Sequence, residues 1–171
     1  MITKTAYIGL GSNLPSSAGD PRGTLAAAIK RLGSLGVVTA QSSFYETEPV
    51  GYTAQPSFLN AAVELQTPFA PIELLDGLLA IEREFGRERR QTPAKGPRTL
   101  DLDLLLMEGI VLNHERLTLP HGEMAQRRFV LAPLAEIAPN AVHPVLGKMV
   151  STLLQELRDE GPNRIRAVNI F

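Results

Sequence analysis

The chain has 171 residues, enough for one domain over its whole length with a real hydrophobic core, and its 17 basic and 18 acidic residues leave a formal net charge of −1. No run of like charge and no basic excess points to nucleic acid or an anionic membrane, and no stretch is long and apolar enough to cross a bilayer, so a cytoplasmic protein is expected. Without cysteine there is neither a disulfide framework nor a thiolate metal site; any metal must be held by oxygen or imidazole, which favours a hard ion.

The N-terminus MITKTAYIGL reads as a strand rather than a signal peptide. Within it TAYIGLG (5–11) alternates, with Ala6, Ile8 and Leu10 on one face and Tyr7, Gly9 and Gly11 on the other, which leaves the second face nearly bare. After SNLPSSAGD, Asp20 can cap a helix that takes Pro21 in its first position, lines Leu25, Ala28, Ile29 and Leu32 on one stripe and ends near Gly33. Residues 36–45 and 57–66 read as strands joined by ETEPVGYTAQPS, a loop rich in Pro and Gly. PIELLDGLLAIEREFG (71–86) reads as a second helix and residues 100–107 as a further strand. EGIVLNHERLTLPHG gives a short strand pair with turns, and residues near 127–138 and 149–160 carry two shorter helical patterns. The order β-α-β-β-α-β predicts an α+β, ferredoxin-like core: a largely antiparallel sheet with both helices packed on one face, its other face free for ligands, plus extra C-terminal helices.

Residues two apart in a strand point the same way, so in GPRTLDLDLLL (96–106) Leu100, Leu102 and Leu104 face the core while Asp101 and Asp103 stand together opposite. Their Cβ atoms are then roughly 7 Å apart, a separation at which two carboxylates can bridge or flank divalent ions that also bind phosphates. A solvated polar face would alternate in the same way. On helix 71–86, Glu82 falls near the centre of the apolar stripe, where a lone acid is either satisfied by arginine or backbone or contacts a ligand. Of the 17 basic residues 13 are arginine, and Arg83, Arg87, Arg89, Arg90 and Arg98 crowd one stretch with Lys95; the planar fork of arginine suits bidentate phosphate contacts. That loop delivers cations to the end of the Asp101 strand, an arrangement suited to a polyphosphate. In strand 57–66, Leu59, Ala61, Val63 and Leu65 line one face, and Phe58 and Asn60 sit side by side on the other, a ring and an amide suited to a flat heterocycle; Phe129 can supply a second ring. GLGSN lacks the third glycine of a dinucleotide fingerprint. His121, in LPHG, is suited to a phosphate contact or to moving a proton near neutral pH.

Taken together and in order, GLGSN, SSFYETEP, QPSFLNAAVEL, IEREFGRER, GPRTLDLDLLL, ERLTLPH and RRFVLAPLAEIAP resemble the 6-hydroxymethyl-7,8-dihydropterin pyrophosphokinase family over nearly the whole chain. The resemblance implies a ferredoxin-like monomer of folate biosynthesis that moves a pyrophosphoryl group from ATP to a pterin alcohol. It implies that Asp101 and Asp103 bind two magnesium ions on the ATP phosphates. Glu82, Arg87, Arg89, Arg98, His121 and Arg127 would lie around the nucleotide and its transferring group, with Arg87, Arg98 and His121 in catalytic positions beside the aspartates, and Arg116 and Thr118 nearer the nucleoside. The pterin would stack between Phe58 and Phe129, with Asn60 and the Thr47 to Val50 loop reading its edge. Loops after the first strand, at 46–56 and at 87–97, would close over ATP. The chain departs from the family pattern at Leu79, Lys95 and Gly122, where other members carry a glutamine, a tryptophan and a larger residue. Two other readings of the residues stay open at this point, a ferredoxin-like module that binds a ligand without chemistry and a magnesium-dependent nucleotidyltransferase; their products separate them.

Overall fold

In the computed structural model, which describes residues 2–47, 54–87, 96–158 and 165–168, the alternating N-terminal segment is strand β1 (Lys4–Ser12), placed inside an antiparallel sheet. Helix α1 (Pro21–Arg31) begins where the Asp20 side chain accepts the Gly23 N–H at 2.9 Å, with proline opening the first turn. The expected strand over 36–45 is two strands, β2 (Val37–Gln41) and β3 (Phe44–Thr47), which pair with successive parts of β4 (Phe58–Thr67). The break lies at Ser42. Its N–H donates to the Ala62 carbonyl and its Oγ accepts the Ala62 N–H, both at 2.9 Å, so a side chain takes a place in the ladder at the kink.

Helix α2 (Pro71–Glu84) and strand β5 (Asp101–Met107) fall where the periodicity put them, and the short pair is β6 (Leu112–His114) with β7 (Leu117–Leu119). Helix α3 (Arg128–Ile137), the hairpin of β8 (Val142–His143) and β9 (Lys148–Met149), and helix α4 (Val150–Glu156) follow. Helix α4 is shorter than the pattern over 149–160 suggested. Strand β10 (Ile165–Val168), which periodicity did not mark, adds an edge beside β3. The sheet runs β10-β3-β4-β1-β5 with β2 also on β4, every pairing antiparallel, so β1 lies between β4 and β5 as in a ferredoxin-like core.

One face of the sheet buries Ile8, Val63, Leu65, Leu102 and Leu104 against Leu25 and Leu32 of the α1 segment and Leu74, Leu78 and Ile81 of α2. The opposite face is not free, as the sequence led us to expect. Helices α3 and α4 cover part of it through Leu131, Leu134, Val150 and Leu153, which pack with Ala62, Leu105 and Leu106. The cause is a bulge in β5: pairing with β1 steps from Tyr7–Leu106 to Ile8–Leu104, leaving Leu105 as the extra residue. Leu105 and Leu106 therefore both join the α3 side, and that apolar area demands a cover. Leu131 and Leu134, fully buried, each contribute on the order of 2 kcal/mol. The part of this face left open is the end carrying Gly9, Gly11, Asn60, Asp101 and Asp103.

Candidate active site

The open end has a bare strip for its floor. Gly11 of β1 pairs with Asn60 on β4 and with Asp101 on β5, while Gly9 pairs with Asp103, so the polar side chains rise from the two neighbouring strands over a backbone with no side chain between them. A Cβ on Gly11 would stand 3.1 Å from Asn60 Oδ1. Leu100, Leu102 and Leu104 go to the core, with Asp101 and Asp103 on the cavity side, as alternation requires.

The strand and its aspartates are held from both faces. The Glu82 side chain, 1% exposed, reaches from α2 and accepts the Leu102 N–H at 2.7 Å, pinning the strand between the two acids. On the cavity side, Arg98 Nη1 meets Asp101 Oδ2 at 3.3 Å, its Nε donates to the Gly96 carbonyl at 3.1 Å, and its guanidinium lies 5.2 Å from the centre of the Phe58 ring. The Arg98 backbone is fixed by Asn13. The Asn13 Oδ1 accepts the Arg98 N–H at 2.8 Å, and the Arg98 carbonyl accepts the N–H groups of Asn13 and Leu14.

The same cavity presents Phe58 and Phe129, with Arg127 over the Phe129 ring at 5.6 Å and paired to Glu123. The Asn60 amide is oriented, because its Nδ2 donates to Thr47 Oγ1 at 2.8 Å in a buried bond that leaves Oδ1 above Gly11. A flat, hydrogen-bonding ring fits this combination of aromatic faces and a fixed amide.

A second cavity adjoins it, walled by Leu75 and Leu79 of α2 and by Arg116, Thr118 and His121; Asp103 lines both cavities. Arg116 Nη2 meets Asp76 Oδ1 at 2.5 Å at its rim. His121 is hung on β5 by its N–H to the Leu105 carbonyl at 2.8 Å, and its Nδ1 accepts the Glu123 N–H at 3.2 Å. Burial, and secondarily the Arg127 charge, pull its pKa below the ordinary histidine value against the opposing Glu123 and Asp101 charges. The ring is therefore neutral at physiological pH. With Nδ1 accepting, the proton sits on Nε2, which makes His121 a hydrogen-bond donor toward the cavity.

Of the residues expected at a site, Thr47, Phe58, Asn60, Phe129, Arg98, Asp101, Asp103 and Arg127 share the first cavity, and Arg116, Thr118, His121 and again Asp103 share the second. Glu82 and Arg87, the latter 6% exposed, line neither. The geometry gives Glu82 a place under the strand, against the Leu102 N–H. Arg89 and Val50 lie outside the described residues, as do Lys95 and much of the loops at 46–56 and 87–97. Leu79 and Gly122 both line the second cavity. The residue that sequence reasoning passed over is Asn13; the signal was a polar residue ending a strand otherwise read only as a weak glycine motif.

The donor set suits a hard divalent ion. Among the described residues no cluster of three or more acids and imidazoles gathers, so the protein offers the two carboxylates of Asp101 and Asp103. Magnesium commonly takes one or two carboxylates and completes its shell with water and substrate phosphate, so the pair fits it.

A sequence model of the 7,8-dihydro-6-hydroxymethylpterin-pyrophosphokinase family matches residues 7–139. The 2-amino-4-hydroxy-6-hydroxymethyldihydropteridine pyrophosphokinase of Haemophilus influenzae is 42% identical over 155 residues, 91% of this chain and 94% of its own length. Its counterpart in Methylorubrum extorquens is 44% identical over 162 residues, 94% and 98% of the two chains, and that of Bacillus subtilis 48% over 138 residues, 80% and 79%. Among solved structures, wild-type Plasmodium falciparum HPPK-DHPS with pteroate superposes with a TM-score of 0.66 over 90% of this chain at 14% identity. This chain spans 42% of that protein, and the likeness bears on the fold alone.

Proposed function

The chain belongs to the 7,8-dihydro-6-hydroxymethylpterin-pyrophosphokinase family, whose members move the pyrophosphoryl group of ATP to hydroxymethyldihydropterin in folate synthesis, and we propose that it does so with the pterin in the first cavity and ATP in the second. The observation that carries this division is that Asp103 lines both. A nucleotide in the second cavity then brings its phosphates to the acid that also borders the ring slot.

The pterin ring stacks on Phe58 and Phe129, and Asn60, its amide fixed by Thr47, reads the ring edge. Arg116 and Thr118 take the nucleoside side. The hydroxymethyl oxygen attacks the β-phosphorus and gives its proton to solvent water, the bond from that phosphorus to the α-bridging oxygen breaks, and AMP leaves with that bond's electron pair on its phosphate oxygen. Arg98 and Arg127 offset the charge on the moving group, and His121 donates its Nε2–H to a phosphate oxygen. With that nitrogen already protonated, His121 is a donor and not the base for the attacking hydroxyl. Asp101 and Asp103 would hold magnesium, two ions in our reading, which supplies charge neutralisation on the phosphates and acidifies the attacking hydroxyl. Positioning and charge neutralisation supply most of the rate enhancement in transfers of this type, so no covalent nucleophile is needed.

The test supplies ATP, magnesium and 6-hydroxymethyl-7,8-dihydropterin and identifies the nucleotide product. AMP formed in step with pterin pyrophosphate is expected. Release of inorganic pyrophosphate would make the protein a nucleotidyltransferase, and ligand binding with no nucleotide turnover a binding module.

A further inference from the structure

We propose that Arg98 is a resident counter-cation of the Asp101–Asp103 seat, and that its guanidinium gives up Asp101 to an incoming divalent ion and turns to the phosphates. The inference rests on the reading that the aspartate pair seats divalent cations.

Asp101 and Asp103 project to one side of β5, so without a cation two like charges share a partly enclosed face. The Arg98 guanidinium answers this from inside the cavity. It contacts Asp101 Oδ2, and the two side chains are only 13% and 18% exposed. The contact is 3.3 Å, well beyond the 2.7–2.9 Å of a strong charge-assisted bond, and the same guanidinium is shared with the Gly96 carbonyl and the Phe58 ring. It is close enough to offset the carboxylate charge and weak enough to exchange. The Arg98 backbone is clamped on both its N–H and its carbonyl by Asn13 and Leu14. An exchange at Asp101 therefore needs only a side-chain rotation, with no shift of the strand that carries the acids. A guanidinium displaced by a dication is repelled by it, and phosphate oxygens bound at that dication are its nearest new partners.

The experiment follows Mn2+ binding to the nucleotide-free protein, from the loss of the free-ion paramagnetic resonance signal, in the wild type and in Arg98→Met, Arg127→Met and Asp103→Asn. Removing a competing partner worth a partly exposed ion pair should tighten Mn2+ binding about fivefold in Arg98→Met. Arg127→Met removes an equal charge from the same cavity, but that arginine pairs with Glu123, so its effect should stay under about twofold. Equal tightening in both variants would mean a general field effect and overturn the exchange, as would unchanged or weaker binding in Arg98→Met. In the wild type, Mg2+ should also move the Arg98 Nε–Hε resonance, which lies in the ring current of Phe58; a resonance unmoved at saturation overturns the exchange. Asp103→Asn separates the two readings. If it keeps wild-type Mn2+ affinity, the metal seat itself is misplaced; if it loses affinity while the arginine results fail, only the exchange falls.

Discussion

Asn13 holds the Arg98 backbone at both of its polar groups: its side-chain oxygen takes the Arg98 N–H at 2.8 Å and its backbone N–H reaches the Arg98 carbonyl at 3.1 Å. The other end of the same side chain donates to Gln55 Oε1 and to the Pro56 carbonyl, so an amide only 3% exposed ties the end of β1 to the segments leading into both cavity walls. Asn13→Ala leaves buried backbone groups without their partner and should lower unfolding free energy by about 2–3 kcal/mol. Asn13→Asp keeps the acceptor for Arg98 and loses the donor to Gln55 and Pro56. Urea denaturation should rank both variants below wild type. Steady-state kinetics should show kcat/KM reduced for the pterin, since Phe58 follows the Pro56 anchor by two residues; wild-type kinetics in Asn13→Ala would remove this residue from the site's support.

Glu82 supports the aspartates from the opposite side of the strand. Its carboxylate takes the Leu102 N–H at 2.7 Å from within the core, so Glu82→Ala strips an acceptor from a buried backbone donor and leaves a void. A loss of about 3 kcal/mol is expected by denaturant titration, together with weaker divalent-ion binding through displacement of Asp101 and Asp103. Glu82→Gln retains a carbonyl for Leu102 and should recover most of the ion affinity. Full activity in a destabilised Glu82→Ala protein would show that the strand keeps its shape without this bond.

How much of this site can be read from the residues depends on whether the cause is local. The same-face placement of Asp101 with Asp103 and of Phe58 with Asn60 follows from a period of two, and the Asp20 cap from three consecutive residues; all lie where the sequence puts them. The direction of Glu82 was legible from helical periodicity, but its partner was not, because the register between α2 and β5 decides which N–H it meets. Alternation already sends Leu105 to the second face; the bulge there shifts the phase and adds Leu106 to it, so the cover by α3 depends on long-range packing that no window of residues displays. Asn13 is the clearest gap. Its partners lie 42, 43 and 85 residues away, and an asparagine after a strand has the local signature of any turn.

The bare floor gives two glycine variants of unequal effect. A Cβ at position 11 would press on Asn60 Oδ1 at 3.1 Å, and that amide is anchored on Thr47, so relief must disturb the amide proposed to read the ring edge. At position 9 the neighbour is Leu105 Cδ1 at 3.4 Å, the end of a side chain that can shift by a few tenths of an ångström. Gly11→Ala should raise the Kd for the pterin at least about tenfold, the cost of disturbing one oriented hydrogen bond, while Gly9→Ala stays within about threefold. Isothermal titration with the pterin checks the order, and a larger effect from Gly9→Ala would put the ring elsewhere.

Asp103 faces both cavities, so its removal should affect transfer far more than ring binding. Asp103→Asn keeps size and hydrogen bonding while losing the charge that fits a divalent ion, and turnover should fall by about a thousandfold. Pterin affinity, followed by the ligand's own fluorescence, should change less than about twofold because the stacking rings and Asn60 are untouched. Near-normal turnover would remove the aspartates from the metal seat.

Stability should fall in mild acid, and His143 identifies a source away from the cavities. It is buried in the β8–β9 hairpin with Nδ1 accepting the Leu146 N–H at 3.1 Å, and burial lowers its pKa below the ordinary value. As pH drops past about 6.5 the unfolded chain takes the proton first, so the unfolded state binds more protons than the native one. The stabilisation is thus complete above that pH and is lost as pH falls toward the lower native value; His121 acts with the same sign. His143→Asn supplies an oxygen where Nδ1 stood and does not titrate. Thermal melts from pH 7.5 to 5.5 should show a shallower decline in this variant than in wild type, with little change in Tm at pH 7.5. An identical slope in the two proteins would assign the acid sensitivity to other groups.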